Sequence, residues 1–98
     1  MARTSIRQIL RSGAITRYEL TPGQALVLLA LADRSDATGE CWPSQERLAA
    51  DLRMSRLGVR KSIGVLVEKR IVEIVDKGGP RRSARYRITL PSYLRATV

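Results

Sequence analysis

Between residues 53 and 61 the chain carries four cationic side chains and no acidic one. The guanidinium group of arginine forms paired hydrogen bonds with a phosphate or with the edge of guanine, whereas lysine acts as a point charge. A solvated helix usually interleaves acids with its bases, and here the first acid after Asp51 is Glu68. The segment is therefore suited to a polyanion, with an ordinary charged outer helix face as the alternative interpretation.

A second cationic cluster surrounds a loop of Gly78-Gly79-Pro80. Glycine lets the backbone approach a phosphate closely, and arginine can enter a minor groove. Five bases stand in the eleven residues 77–87, which contain no acid. This excess favours binding over the alternative of a flexible, soluble turn, and the five bases are Lys77, Arg81, Arg82, Arg85 and Arg87.

The overall charge agrees with these two clusters. The formal net charge is +9, and 15 of the 18 bases are arginine. Residues 1–17 carry four bases and no acid, residues 18–52 carry two bases and six acids, and residues 53–98 carry twelve bases and three acids. A basic excess alone does not distinguish DNA from RNA or an anionic membrane. The acidic middle is typical of a scaffold that faces away from a polyanion.

Several classes of site are disfavoured by composition. Cys41 is the only cysteine and histidine is missing, which excludes an internal disulfide and makes a zinc site improbable. General acid–base machinery is hard to assemble from these residues, so we expect no enzyme, no cofactor, no metal and no small-molecule substrate. The longest apolar run, residues 25–32, is far short of a membrane span, and the N-terminus lacks a secretory signal, so a cytoplasmic protein is expected.

N-cap residues and the spacing of apolar residues predict the helices and strands that hold these cations. Thr21 and Pro22 predict a helix start, and the helix to Ala32 is apolar on most sides, so it is either central or shared with a partner chain. Residues 33–39 form a polar loop, and residues 40–43 are extended. Ser44 caps a short helix that ends near Leu52.

A tight turn at residues 53–54 then leads to a third capped helix. Ser55 is its N-cap, and the apolar positions Val59, Ile63 and Leu66 predict one buried face up to about residue 70. Two strands, residues 71–75 and 84–90, enclose the glycine loop as a hairpin, and residues 41–42 can add a third strand. Trp42 and Tyr86 are expected in the core.

This order predicts a mainly α fold with a small β-hairpin wing (α+β), a winged helix-turn-helix. Residues 21–90 are the predicted domain, and residues 91–98 are a tail. Residues 1–20, with Arg3, Arg7 and Arg11, are left open between a basic arm, a short helix and an oligomer contact.

From about Thr21 to Leu90 the chain resembles the winged helix-turn-helix domains of phage and plasmid replication proteins and small phage transcriptional regulators. The resemblance implies a DNA-contacting helix at residues 55–69 and a wing at residues 76–85. In two departures, Gly58 replaces a usual threonine and Arg70 replaces a usual helix-ending glycine. The resemblance is carried by Leu20-Thr21-Pro22, Ala25-Leu26, Asp33 through Gly39, Trp42-Pro43-Ser44, Leu48-Ala49, Met54-Ser55-Arg56, Val59-Arg60-Lys61-Ser62-Ile63, Leu66, Ile71-Val72 and Tyr86-Arg87-Ile88.

The predicted function is sequence-specific binding of double-stranded DNA by a homodimer, as a phage- or plasmid-type transcriptional regulator. A replication or recombination accessory factor is the alternative role, and a winged-helix protein–protein module is the alternative class. RNA binding is disfavoured because an aromatic platform is missing. The predicted DNA contacts are Ser55, Arg56, Leu57, Arg60, Lys61, Lys77, Arg81, Arg82 and Arg85.

Overall fold

The computed structural model describes residues 5–90, so Arg3 of the predicted arm and the predicted tail lie outside the described residues. The helices are α1 (Ile6–Ser12), α2 (Ala14–Arg17), α3 (Pro22–Asp33), α4 (Gln45–Leu52) and α5 (Arg56–Glu68). The strands are β1 (Glu40–Cys41), β2 (Val72–Asp76) and β3 (Arg85–Ile88). Helices and a small antiparallel sheet thus share one fold, as the α+β prediction requires.

Helix α3 lies at the centre of this fold. The side chain of Thr21 accepts a hydrogen bond from the backbone N–H of Gln24, and the Gln24 side chain accepts one from the backbone N–H of Thr21. The predicted start of the helix is therefore confirmed. Because α3 is apolar on most sides, it packs at once against α1, α4, α5 and β3. The alternative of a central helix is thus the one observed, although Leu26 remains 45% exposed.

Residues 5–20 form two short helices that belong to the same core. Ser5 and Gln8 make a reciprocal capping box at the start of α1. Ile9 and Ala14 are fully buried in the cluster that contains the α3 side chains. Helices this short are not stable alone, so tertiary packing must hold them. A domain boundary at residue 21 therefore divides a continuous core, while an oligomer contact in this segment stays a prediction.

The three strands form one sheet in the order β1-β3-β2, with both pairings antiparallel. Cys41 lies opposite Tyr86, and Val72 lies opposite Ile88. All four of these side chains face the core and are at most 6% exposed. The predicted hairpin is confirmed, and so is the burial of Tyr86. The third strand lies one residue earlier than predicted.

Trp42 is not in the core, so that prediction is wrong. Its side chain is 58% exposed, whereas the preceding Cys41 is 1% exposed. Successive side chains of a strand point to opposite faces of the sheet. Because Cys41 faces the core, Trp42 is directed to the solvent side.

Among residues 5–90, three non-glycine residues have a positive φ, and each follows a helix: Glu19, Arg53 and Arg70. After α5, the N–H of Ile71 donates to the carbonyl of Leu66 and the N–H of Arg70 to that of Val67, which is a Schellman motif. Leu66 and Ile71 are both fully buried. Arg70 thus adopts the left-handed conformation that glycine adopts without strain, and α5 ends at Glu68, two residues earlier than predicted.

Among the described residues, no helix is long and apolar enough to cross a membrane.

Candidate nucleic-acid interface

Helices α4 and α5 meet at a tight turn that is closed by local hydrogen bonds. The side chain of Ser44 caps α4 by accepting from the N–H of Arg47, and Ser55 caps α5 by accepting from the N–H of Gly58 at 2.9 Å. Between them Arg53 has a φ of 54°, and the N–H of Met54 donates to the carbonyl of Ala49. Both predicted caps are confirmed.

Steric crowding at this turn explains why residue 58 is glycine. A Cβ atom at this position would lie 3.1 Å from Oγ of Ser55 and 3.7 Å from Cε of Met54. The first distance is tighter than an ordinary van der Waals contact. Glycine therefore leaves room for the Ser55 cap.

Helix α5 separates an apolar face from a cationic one. Val59, Ile63 and Leu66 are at most 3% exposed and fix the helix against the core. The predicted outer residues Arg56, Leu57, Arg60 and Lys61 are all exposed. The predicted burial of one stripe is thus confirmed, and the four outer residues project from the first two turns of the helix.

Three of these outer residues line one shallow depression on the surface. Arg56, Leu57 and Arg60 form it together with Gln45, the first residue of α4, and its volume is about 310 Å³. We call it the helix depression. Lys61 is exposed on the same helix but does not line it. Gln45 donates to the hydroxyl of Tyr86 at 3.4 Å, a contact that links the depression to the sheet.

A second concavity, the loop groove, lies between the starts of α4 and α5 and the β2–β3 loop at residues 77–84. Its volume is about 380 Å³, and Arg56 lines it as well as the helix depression. The cationic lining residues from the loop are Lys77, Arg81 and Arg82. Two cationic clusters far apart in sequence therefore form one continuous surface, joined at Arg56.

The β2–β3 loop is held in shape by its own hydrogen bonds. Gly79 and Arg82 pair across a turn, with N–H to O distances of 2.9 and 3.2 Å, and Pro80 stands at the second turn position. The Asp76 carboxylate accepts from the N–H of Gly78 at 2.9 Å and from Arg82 at 3.0 Å. The Gly78 hydrogen bond, with the nearby Arg82 charge, lowers the pKa of Asp76 below its ordinary value. These hydrogen bonds define the conformation of the loop.

Arg85, the remaining predicted contact, lines neither the helix depression nor the loop groove. Its guanidinium is 6.0 Å from the centre of the Trp42 ring and 3.9 Å from the Glu40 carboxylate. It lines a third concavity of about 200 Å³ with Trp42, Asp76, Arg82 and Ser83. Arg82 and Ser83 also line the loop groove, but Arg85 does not. The neighbouring Arg87 pairs with Glu40 at 2.5 Å, which raises the Arg87 pKa.

These features agree with the known family that the sequence matches. The family described as "Helix-turn-helix domain" matches residues 18–72, more than half of the 98 residues. The chain belongs to this family. The match covers the helix-turn-helix itself, α3, α4 and α5, and ends at the first residue of β2. No curated protein and no solved structure matches the chain.

Residues of α4 contribute to this helix-turn-helix surface, and sequence reasoning missed them. Gln45 lines both concavities, and Glu46 adds one acid to the loop groove. Both directly follow the Ser44 cap. Because the start of the first helix of such a motif lies beside the start of the second, their position in the sequence was the available signal.

The described helix-turn-helix residues include one thiol, and their surface carries guanidinium groups and an amide. Burial raises the pKa of the Cys41 thiol to about 11, so it is not a nucleophile at neutral pH. Within residues 5–90, no group of three His, Cys, Asp or Glu side chains could hold a metal ion. What the surface does offer is guanidinium groups, an amide and backbone N–H groups, which bind phosphates and base edges.

Proposed function

We propose that this protein binds double-stranded DNA in a sequence-specific manner, as a transcriptional regulator of the phage or plasmid type, and that it is not an enzyme. Helix α5 enters the major groove, and the β2–β3 loop acts as a wing on the backbone or in the minor groove. The observation that carries the proposal is the position of Arg56, which lines both the helix depression and the loop groove. One ligand can therefore contact both cationic clusters.

The dimensions of the surface support a duplex as that ligand. Helix α5 has 13 residues, and an α-helix with its side chains is about 10–12 Å in diameter. A B-form major groove is about 12 Å wide and accepts one helix. Arg56 and Arg60 project from the first two turns of α5. The N-terminus of the helix, which lies beside them, also favours a phosphate. We therefore propose base contacts for the two arginines and backbone contacts for Ser55 and Lys61.

The charges on the loop side support contacts that do not depend on base sequence. Lys77 and Arg81 are exposed, and the structure gives neither of them an acidic partner among residues 5–90. Arg82 is already paired with Asp76, so its contribution to a phosphate is smaller. We expect the loop to supply affinity and salt dependence, and α5 to supply specificity.

A homodimer on DNA and a cytoplasmic location are part of the same proposal. Two copies place two α5 helices in half-sites about one helical turn apart. Leu10 of α1 and Leu26 of α3 are 55% and 45% exposed and are candidates for the contact between copies. Light scattering of the protein with and without its DNA site measures the stoichiometry directly.

The test begins with selection of the preferred site from random duplexes, followed by footprinting. The variant Arg60→Ala should then lose about 1–3 kcal/mol of binding free energy, or roughly 5- to 150-fold in affinity. The control is Arg47→Ala, because Arg47 is an exposed arginine of α4 that lines neither concavity. Unchanged affinity of Arg60→Ala for the best site would contradict the proposal.

The location of the selected site in the genetic neighbourhood separates the possible roles. A site beside the protein's own promoter supports a regulator, whereas a site at an origin or an attachment sequence assigns a replication or recombination role. Absence of any shift with random duplex DNA, together with no retention on heparin, would leave only the protein–protein module.

A further inference from the structure

The helix depression contains one side chain that electrostatics does not explain. Leu57 is 49% exposed, and it lines the depression together with Arg56 and Arg60. Isolated exposed leucines are common on protein surfaces and need no account of their own. The place of Leu57 is informative, because the depression is otherwise lined by two guanidinium groups and the amide of Gln45.

The chemistry of the major groove accounts for this composition. Each base edge there presents hydrogen-bond donors and acceptors, with one exception: the methyl group on C5 of thymine. Guanidinium groups pair with guanine, and an amide pairs with adenine. An apolar branched side chain among them has one complementary partner, which is a 5-methyl group.

From this match we propose that Leu57 is a specificity-determining residue that selects a pyrimidine carrying a 5-methyl group, either thymine or 5-methylcytosine. The inference rests on the proposed function and deepens it. The groove must bring that pyrimidine next to a base that contacts Arg60, since Arg60 is the i+3 neighbour of Leu57 on the helix surface. Binding then responds to cytosine methylation at the same position.

The loss expected from removing the methyl group is modest and measurable. Burying one methylene-sized group contributes enough to change an equilibrium about fourfold. Deoxyuridine differs from thymidine only by this methyl group and keeps all base-pairing atoms. Single deoxyuridine replacements along the selected site should therefore reveal at least one position where the wild-type protein binds about fourfold more weakly.

The variant Leu57→Ala supplies the matching protein change. Leu57 is exposed and outside the buried stripe of α5, so the substitution leaves the fold intact, and thermal denaturation verifies this. Leu57→Ala should bind the thymine and deoxyuridine duplexes equally, whereas Leu57→Met and the control Arg47→Ala should keep the wild-type preference. At the sensitive position, 5-methylcytosine should recover part of the affinity that plain cytosine loses.

The outcomes separate this inference from the function on which it rests. A protein that selects no duplex at all refutes the proposed function. A protein that selects a duplex without thymine, or that binds thymine and deoxyuridine alike at every position, refutes the role of Leu57 alone. The same conclusion follows if Leu57→Ala retains the deoxyuridine effect, or if plain and methylated cytosine bind equally.

Discussion

Replacing Gly78 with alanine should disrupt the β2–β3 loop, whereas the same change at Gly79 should be tolerated. Gly78 has a φ of +78°, and a Cβ atom there would lie 2.5 Å from the carbonyl oxygen of Arg82 and 2.8 Å from the backbone of Ser83 and Ala84. All of these neighbours are backbone atoms, so no side-chain rotation relieves the overlap. A Cβ atom on Gly79 meets nothing within 4 Å.

The cost of Gly78→Ala follows from two terms. An alanine in the left-handed region costs about 1–2 kcal/mol. Displacing the loop backbone also loses the two hydrogen bonds between Gly79 and Arg82, each worth about 0.5–1.5 kcal/mol. The sum is about 2–5 kcal/mol, with an upper limit set by local opening of the loop. Gly79 pairs in an extended bridge before Pro80, a conformation that alanine also adopts, so its replacement should change stability by less than about 1 kcal/mol.

Two assays measure this difference. Urea unfolding gives the free energy of unfolding of each variant, and titration of random-sequence duplexes gives affinity. Gly78→Ala should be the less stable and should bind every duplex more weakly, because Lys77, Arg81 and Arg82 lose their positions beside Arg56. Equal stability and equal affinity of the two variants would refute the reasoning.

Further predictions concern the loop acid, the loop charge, the helix end and the aromatic residues. The pKa of Asp76 is lowered, so the stabilisation of the fold by its carboxylate is complete above the ordinary pKa of 3.8 and is lost as the pH falls through the lowered value. The difference in the free energy of unfolding between wild type and Asp76→Asn, measured in urea titrations, should therefore shrink as the pH falls from about 5 to about 2. Arg81→Ala should weaken binding to all duplexes alike and reduce the slope of log affinity against log salt by about one, and a sequence-dependent loss would contradict this. Arg70→Gly should raise the free energy of unfolding by about 0.5–1 kcal/mol, since it relieves left-handed strain at some cost in chain entropy, and a loss of stability would exclude the strain. Trp42→Ala should change stability by less than about 1 kcal/mol, whereas Tyr86→Ala should cost about 3–5 kcal/mol; similar losses would show that Trp42 is packed.

The features that local sequence determines were predictable. Thr21, Ser44 and Ser55 are N-caps, and each hydroxyl accepts a hydrogen bond from the free backbone N–H group three residues later. This local contact does not depend on where the helix packs in the fold. The buried stripe of α5 follows from its helical spacing in the same way. The exposure of the cationic face of α5 could therefore be predicted from the residues around Arg56 and Arg60 alone.

The features that depend on distant residues could not be predicted. Which of Cys41 and Trp42 faces the core is decided by the pairing of β1 with β3, more than forty residues later in the chain. The place of Arg85 depends on the same register. The two short helices before residue 21 owe their stability to packing against α3, which weak local periodicity does not reveal.

The ends of helices are an intermediate case. Glycine normally marks the left-handed residue after a helix. Arg53 and Arg70 occupy such positions without being glycine, and at Arg70 the burial of the following Ile71 compensates the strain. The rule predicts where glycine is cheapest and does not exclude an arginine.

In the proposed function, α5 contacts base edges in the major groove through Arg56 and Arg60. The most direct measurement replaces single guanines of the selected site with 7-deazaguanine, which removes the major-groove N7 acceptor, and in a parallel set with inosine, which removes the minor-groove amino group. We predict that one or two 7-deazaguanine positions weaken binding of the wild-type protein but not of Arg60→Ala or Arg56→Ala, and that inosine at those positions is tolerated. Sensitivity to inosine alone, with no effect of 7-deazaguanine at any position, would contradict the account.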